Sequence, residues 1–353
     1  MLKIKHFNIT IFLLIFLSYF VLIGATKPQE TLQEYNGVIE HLNFDTLISF
    51  PSKALDNNNH NSTLYDETKI TPYEFQKILQ ELHSNNYVLI SIEELYFLEE
   101  NTIYPKPLFL PQNKKPIILS FNNVTYKSSY QNSGEIDKII IDNNNQFATY
   151  STKQSIQNRI AYDNEFLTIL EQFINNNPDF SYNNSRGVIF FTIDSGILGY
   201  KIDNKNASAK HDIKRVSEII RRLKNKGWEF GSNNYNTTPD TTLSEIEFIN
   251  NITLWKQHIK PLIDSTPYYA SITGQDISKF ESKFKVLLDN EFTTFFFDNN
   301  APSLTITNNS IVMSRKRVDG NSLRNSPHIF EDIFNAKKVY DYQARQIPYP
   351  QQS

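Results

Sequence analysis

The chain of 353 residues contains no cysteine, so it can form neither a disulfide framework nor a thiolate metal site. Oxidation state therefore sets no limit on its compartment. It also lacks an excess of either charge, with 35 Lys and Arg against 38 Asp and Glu and a formal net charge of -3. Such a balance gives no electrostatic reason to bind nucleic acid, and no basic run marks a lipid surface. A Gly-rich phosphate loop is missing, which leaves nucleotide chemistry without support. The Gly-x-Ser-x-Gly elbow is missing too, and Ser195 in Asp194-Ser195-Gly196 has no histidine placed to activate it. The histidines are His6, His41, His60, His83, His211, His258 and His328, and no two are spaced like metal ligands. Internal repeats are absent.

Apolar runs are short. The most apolar, residues 9–24 (ITIFLLIFLSYFVLIG), has 16 residues, below the roughly 20 that a membrane span wants. Lys3 and Lys5 precede it and small Gly24-Ala25 follow, the pattern of an export signal. Cleavage after Ala25 and retention as an uncleaved membrane anchor both stay open. Either places the rest of the chain outside the cytoplasm, secreted or anchored. Asparagine is plentiful, and its Asn-x-Ser/Thr sequons are expected by chance in so Asn-rich a chain.

Hydrophobic residues make up 39% of the chain and aromatics 13%, enough for one large core or two small ones. Helix-like and strand-like segments alternate. Thr71-Pro72-Tyr73-Glu74 reads as a capping box with Pro at the first helical position, opening a helix with Phe75, Ile78, Leu79 and Leu82 on one face. Residues 87–92 and 116–121 read as buried strands, the second running into Asn122-Asn123. A long segment, 124–159, holds turn signals and a short strand at 138–141. A helix at 165–175 precedes the strand 187–192. Residues 211–225 have helical period through Ile213, Val216, Ile219, Ile220 and Leu223. A strand at 228–231 follows Gly227. Thr242-Leu243-Ser244-Glu245 reads as a second capping box, before a helix with Phe248, Ile252, Trp255 and Ile259 in line. Strands at 268–272 and 293–297 complete the set, and residues 347–353 read as a polar tail. Strand-helix alternation implies an α/β sheet or barrel of parallel strands, with ligands at the carboxyl ends of the strands. That rule points at Asn122-Asn123, Asp194-Ser195 and Ser232-Asn233-Asn234.

At those strand ends the chain resembles the polysaccharide deacetylases, carbohydrate esterase family four with its NodB-homology domain. The family's first motif, Ser/Thr-Phe-Asp-Asp, corresponds to Ser120-Phe121-Asn122-Asn123. Its second, Ser-His-x-x-x-His, corresponds to Ser232-Asn233-Asn234-Tyr235-Asn236-Thr237 after Gly227-Trp228-Glu229-Phe230. Pro178-Asp179-Phe180-Ser181-Tyr182, Gly196-Ile197-Leu198-Gly199-Tyr200, Arg317-Val318-Asp319-Gly320 and Val339-Tyr340-Asp341 are similar to a subgroup from low-GC bacteria. The likeness runs from about His41 to Arg345. It implies a distorted (β/α) barrel, with an N-terminal part and lead-in over residues 26–110 and the deacetylase-like barrel over 111–346.

The resemblance also implies a chemistry. The family removes acetyl groups from sugars with a divalent metal, usually zinc, held by the second Asp and both His, while the first Asp is the base. Carried over, the base position is Asn122 and the metal positions are Asn123, Asn233 and Thr237, all degenerate. Asp45 stands where relatives commonly carry His, and Ser271-Ile272-Thr273-Gly274 replaces an aromatic-Pro pair. His328 is the one candidate near the family's late acid. The expectation is a pseudoenzyme that needs no cofactor and binds a polysaccharide or peptidoglycan through a groove of Tyr200, Tyr235, Arg317 and Asp319. The bland reading of the same residues is structural, with Tyr200 packing its turn and Arg317 paired to Asp319. Two alternatives are an active N- or O-deacetylase with an atypical site, and a membrane-tethered structural partner with the groove unused.

Overall fold

Seven parallel strands close into a ring in this computed structural model, which describes residues 31–126, 133–192, 196–202, 207–347 and 349. The apolar segment 9–24 with its flanking lysines, the Asp194-Ser195 strand end and most of the tail lie outside the described residues. The ring strands are β1 (Glu40–Phe44), β2 (Lys115–Phe121), β3 (Val188–Phe191), β4 (Glu229–Ser232), β5 (Tyr268–Ala270), β6 (Thr294–Asp298) and β7 (Ile311–Arg317). β2 pairs with β3 through Val188 and Ser120, and β7 pairs back to β1 through Lys316 and Leu42, which completes the closure. β1 comes from the N-terminal part of the chain, so the ring draws on both stretches that the sequence separates.

The barrel is distorted at two places. The lower half of β2 pairs not with β3 but with the strand Tyr87–Leu89, which stands outside the ring. Between β4 and β5 a single pair, Ser232 with Tyr269, holds the ladder.

Alternation along each strand sorts the core into two layers. Leu42, Ile117, Leu119, Ile189, Phe230 and Phe295 face outward into the main cluster beneath the helices. Ile118, Val188, Phe190, Tyr268, Phe296 and Met313 fill the barrel interior. Gly231 points inward, where a Cβ would lie 2.4 Å from the Phe190 ring; the missing side chain lets that ring occupy the lumen.

The helices that cover the ring are α1 (Pro72–Ser84), α2 (Phe166–Asn176), α3 (Ala207–Asn225), α4 (Glu245–Ile263) and α5 (Glu281–Asp289). α1 has both halves of its capping box, and its four expected apolar residues are buried. The box expected at Thr242 lies two residues later. Ser244 accepts from the Glu247 amide at 3.4 Å, and Glu247 accepts from the Ser244 amide at 2.8 Å. Thr242 instead turns its hydroxyl to the Pro239 carbonyl at 2.8 Å and closes a short 3-10 turn. The segment after β2 carries a three-stranded antiparallel sheet, Lys138–Ile141, Phe147–Tyr150 and Ile160–Ala161, of which only the first strand is legible in the sequence. No helix among the described residues is long and apolar enough to cross a membrane.

Candidate functional site

Parallel strands of a barrel finish at one rim, so residues far apart in sequence meet there. β1 runs into Asp45, β2 into Asn122 and Asn123, β3 into Thr192 and β4 into Asn233; β6 ends on Asp298 and β7 on Arg317.

Just beneath the rim, Arg315 has no exposed surface. Its Nε and Nη2 donate to Asp298 Oδ1 at 3.2 and 3.0 Å, and its Nη1 donates to Asn122 Oδ1 at 3.2 Å. Asn43 Nδ2 donates to the same Asp298 oxygen at 3.1 Å. The position that the resemblance assigns to the base is therefore a neutral amide whose oxygen already accepts from a permanent cation. It cannot take a proton from water.

The metal positions are engaged in the same way. Asn123 Nδ2 donates to Asp45 Oδ1 at 3.3 Å, and its Oδ1 accepts from Thr192 Oγ1 at 3.4 Å. Asn233 Nδ2 donates to the Ala270 carbonyl at 2.8 Å, which leaves its Oδ1 buried without a partner. Thr237 offers only a hydroxyl at the exposed edge. The divalent metal that the resemblance implies does not fit this set, because two amides and a hydroxyl bring neither negative charge nor imidazole. Among the described residues no group of three His, Cys, Asp or Glu converges on a point.

What the rim does form is a cleft of about 300 Å³, reached by Asp45, Asn123, Thr192, Thr237 and Arg317 from the strand ends. Arg317 pairs with Asp45 at 3.2 Å and with Asp319 at 2.9 Å. Asp45 foremost, and Asp319 with it, hold the guanidinium pKa above its ordinary value against the cost of burial. On the opposite wall Lys69 pairs with Glu135 at 2.9 Å and donates to the Thr46 carbonyl at 3.3 Å and to the Thr46 hydroxyl. Burial opposes the charge on Lys69, but Glu135 and then Asp45 outweigh it and raise its pKa. Two cations thus meet two carboxylates, and Leu64, Tyr65 and Ile272 supply an apolar side. Behind this wall, Glu165 accepts from the Leu47 and Phe166 amides at 3.0 and 2.9 Å and from the Ser49 hydroxyl at 3.2 Å.

The four expected groove residues do not assemble. Arg317 faces the cleft, with Asp319 behind it capping the helix Gly320–Asn325 through the Ser322 amide at 2.7 Å. Tyr235 lies outside the cleft; its amide donates to Asn251 Oδ1 at 3.1 Å and its ring sits 5.9 Å from that of His258. Tyr200 is buried in its turn, where its amide donates to Ile197 at 2.9 Å. That turn folds Tyr200 away from the rim because Gly199, at φ +84°, lets the backbone lie against the Asp137 carbonyl. His328 does not line the cleft. His41 points into the lumen 5.3 Å from the Phe296 ring. Burial, with Arg315 nearby, drives its pKa well below the ordinary value, so it is neutral at pH 7. Lys69, Glu135, Asp298 and Arg315 escape the sequence reading. Asp298 alone had a signal, since it directly follows the legible strand 293–297.

No protein-family model matches the chain, and no curated protein is significantly similar to it. Among solved structures it is similar to the deacetylase PplD of Streptococcus pyogenes in complex with acetate, at 13% identity and a TM-score of 0.45, over 86% of this chain and 99% of that one. A de-N-acetylase from Aggregatibacter actinomycetemcomitans gives 10% and 0.45, over 80% and 96%. The chitin deacetylase of the fungal pathogen Colletotrichum lindemuthianum gives 13% and 0.22, over 48% and 75%. Each is a likeness only. The (β/α) barrel is established by its own strand pairings.

Proposed function

We propose that this chain is an exported, deacetylase-like barrel that binds carbohydrate at its rim without metal-dependent deacetylation. The observation that carries this reading is the charge pairing in the rim cleft, Asp45 with Arg317 and Lys69 with Glu135, beside amides at the base and ligand positions. A cleft without net charge, lined by fixed donors, carboxylates and hydroxyls with one apolar side, offers many hydrogen bonds and attracts no particular ion. That suits a neutral, hydroxyl-rich ligand, and cell-wall or surface polysaccharide, the glycan strand of peptidoglycan included, answers the description. Export rests on the apolar segment 9–24, which would tether the barrel to the membrane if left uncleaved. No cofactor enters this reading.

One observation favours the second reading, an active N- or O-deacetylase with an atypical site. Asn233 and Asn234 each bury an Oδ1 without a partner, and amide oxygens suit a hard cation. Such an ion would still lack a base, because Asn122 is neutral.

The test joins two measurements on the purified chain. Calorimetric titration with N-acetylglucosamine oligomers should show binding that weakens about tenfold in Arg317→Gln and in Asp45→Asn, the scale of a lost hydrogen bond to a charged group. Acetate release from acetylated chitin and peptidoglycan fragments, with zinc or cobalt added, should not exceed a metal-free blank. Metal-dependent release abolished by Asn233→Ala would transfer the assignment to the second reading, and failure to bind any oligomer would remove the carbohydrate assignment.

A further inference from the structure

A second cleft, of about 680 Å³, opens between α3 and the three-stranded sheet that follows β2, and it shares no lining residue with the rim cleft. Its volume falls within the roughly 300–1,000 Å³ of small-molecule sites. Its charge is one-sided. Lys138, Lys214 and Arg215 line it, with Glu218 as the only carboxylate among the described lining residues. Glu218 is already engaged by Arg221 at 2.8 Å and by Arg222 at 2.6 Å. Asp212, on the same helix, acts electrostatically on Tyr200 but does not line the cleft.

Two buried cations of this chain pair with carboxylates, Lys316 with Glu40 and Arg186 with Glu171, both at 2.9 Å. Lys138, half-buried, differs from these two. Among the described residues no carboxylate pairs with it, nor with Lys214 or Arg215. Its ammonium is held instead between two rings, 5.4 Å from the centre of Tyr200 and 5.5 Å from that of Tyr150. Ring faces fix a cation in place without neutralising it. Lys138 is thus a positioned charge with no carboxylate partner among the described residues, at the wall of an open cleft, and Lys214 and Arg215 stand exposed at its mouth. Ile140, Ile160 and the free side of Tyr150 add apolar surface beside these charges.

We propose that this cleft is a second binding site, for an anionic saccharide whose carboxylate or phosphate meets Lys138, Lys214 and Arg215 while its ring lies on the neighbouring apolar surface. Apolar surface next to cations separates such a ligand from a bare polyanion, which would need only the charges. The site would let one barrel hold two differently charged sugars, the neutral one at the rim.

The experiment titrates the full chain with a galacturonate oligomer and with a mannose phosphate oligomer. An N-acetylglucosamine oligomer and a single-stranded oligonucleotide of matched charge serve as comparisons. At least one anionic saccharide should bind, and whichever it is tells carboxylate from phosphate. Its affinity should fall as salt is raised above about 0.05 M, where screening shortens. It should also fall about tenfold or more in Lys138→Met and in the surface double variant Lys214→Gln/Arg215→Gln, which remove charge-assisted contacts. Binding of the neutral oligomer should be unchanged in both variants. Three results would overturn the proposal: neither anionic saccharide binding in low salt, binding indifferent to both variants, or an equal or tighter hold on the oligonucleotide. None of them touches the rim reading, which depends on the neutral oligomer and Arg317.

Discussion

Glu165 has no exposed surface and no cation in direct contact; its partners are two backbone amides and a serine hydroxyl. Burial raises its pKa from the usual 4.5 to about 7, although both amides pull the other way. Below the usual value the carboxyl is protonated folded or unfolded, and the fold carries no buried charge. As pH rises through about 7 the folded protein must ionise it, and that stability is lost. A shift of this size corresponds to about 3 kcal/mol. Glu165→Gln should therefore be more stable than the wild type at pH 8 by up to about 3 kcal/mol and level with it near pH 4. Urea unfolding at the two pH values measures this, and a difference independent of pH would mean that folding leaves the Glu165 pKa unshifted. At this scale the sequence reveals residues that end a recognisable strand. Asn122 and Asn123 were legible because an apolar run delivers them, and Asn233 because it follows the strand after Gly227-Trp228. Lys69 and Glu135 come from stretches without periodicity, and only the closed barrel brings them to one wall.

Elements were legible where their apolar pattern is clean. Strands β2 and β3 read as continuous apolar runs because both their faces are buried. Strands β1 and β7 did not, and the reason is physical. β1 is EHLNF, buried at every position, and it sends His41 and Asn43 into the lumen. β7 sends Arg315 and Arg317 toward the rim. A barrel that lines its lumen with polar groups removes the signal by which strands are recognised. The displaced cap of α4 has an equally local cause. Both Thr242 and Ser244 are plausible caps by type and each has a Glu three residues on, Glu245 and Glu247, but the Thr242 hydroxyl is taken up by the Pro239 carbonyl, which leaves Ser244 to close the box. Ser244→Ala should cost about 1 kcal/mol, the usual worth of a cap. Thr242→Ala should cost less than half as much. Equal losses in denaturant unfolding would place the helix start back at Thr242.

Across the whole molecule, a buried ion network holds the C-terminal segment to the start of the barrel's helical layer. Arg345, with a fully buried side chain, grips both oxygens of Glu74 at 2.7 Å and Asp66 Oδ1 at 2.9 Å. Arg324 takes the other Asp66 oxygen at 2.7 Å, and Asp341 accepts from the Thr71 hydroxyl at 2.9 Å. Glu74 also closes the capping box of α1, so one carboxylate starts a helix and anchors the far end of the chain. The sequence disclosed the box but not the clamp, because 271 positions separate Glu74 from Arg345. Fully buried pairs add little over an apolar replacement, yet removing one partner strands the other. Arg345→Met should therefore cost about 3–5 kcal/mol by leaving Glu74 and Asp66 uncompensated. Glu74→Leu/Arg345→Met should recover part of that loss, though not all, since the cap at Thr71 goes with Glu74 and Asp66 keeps only Arg324. A double-mutant cycle on unfolding free energies should show coupling of at least about 2 kcal/mol, at the upper end for residues in contact. Coupling near zero would mean that the C-terminal segment is held by packing around Val339 and Tyr340 rather than by charge, and Arg345→Met would then cost no more than a lost contact.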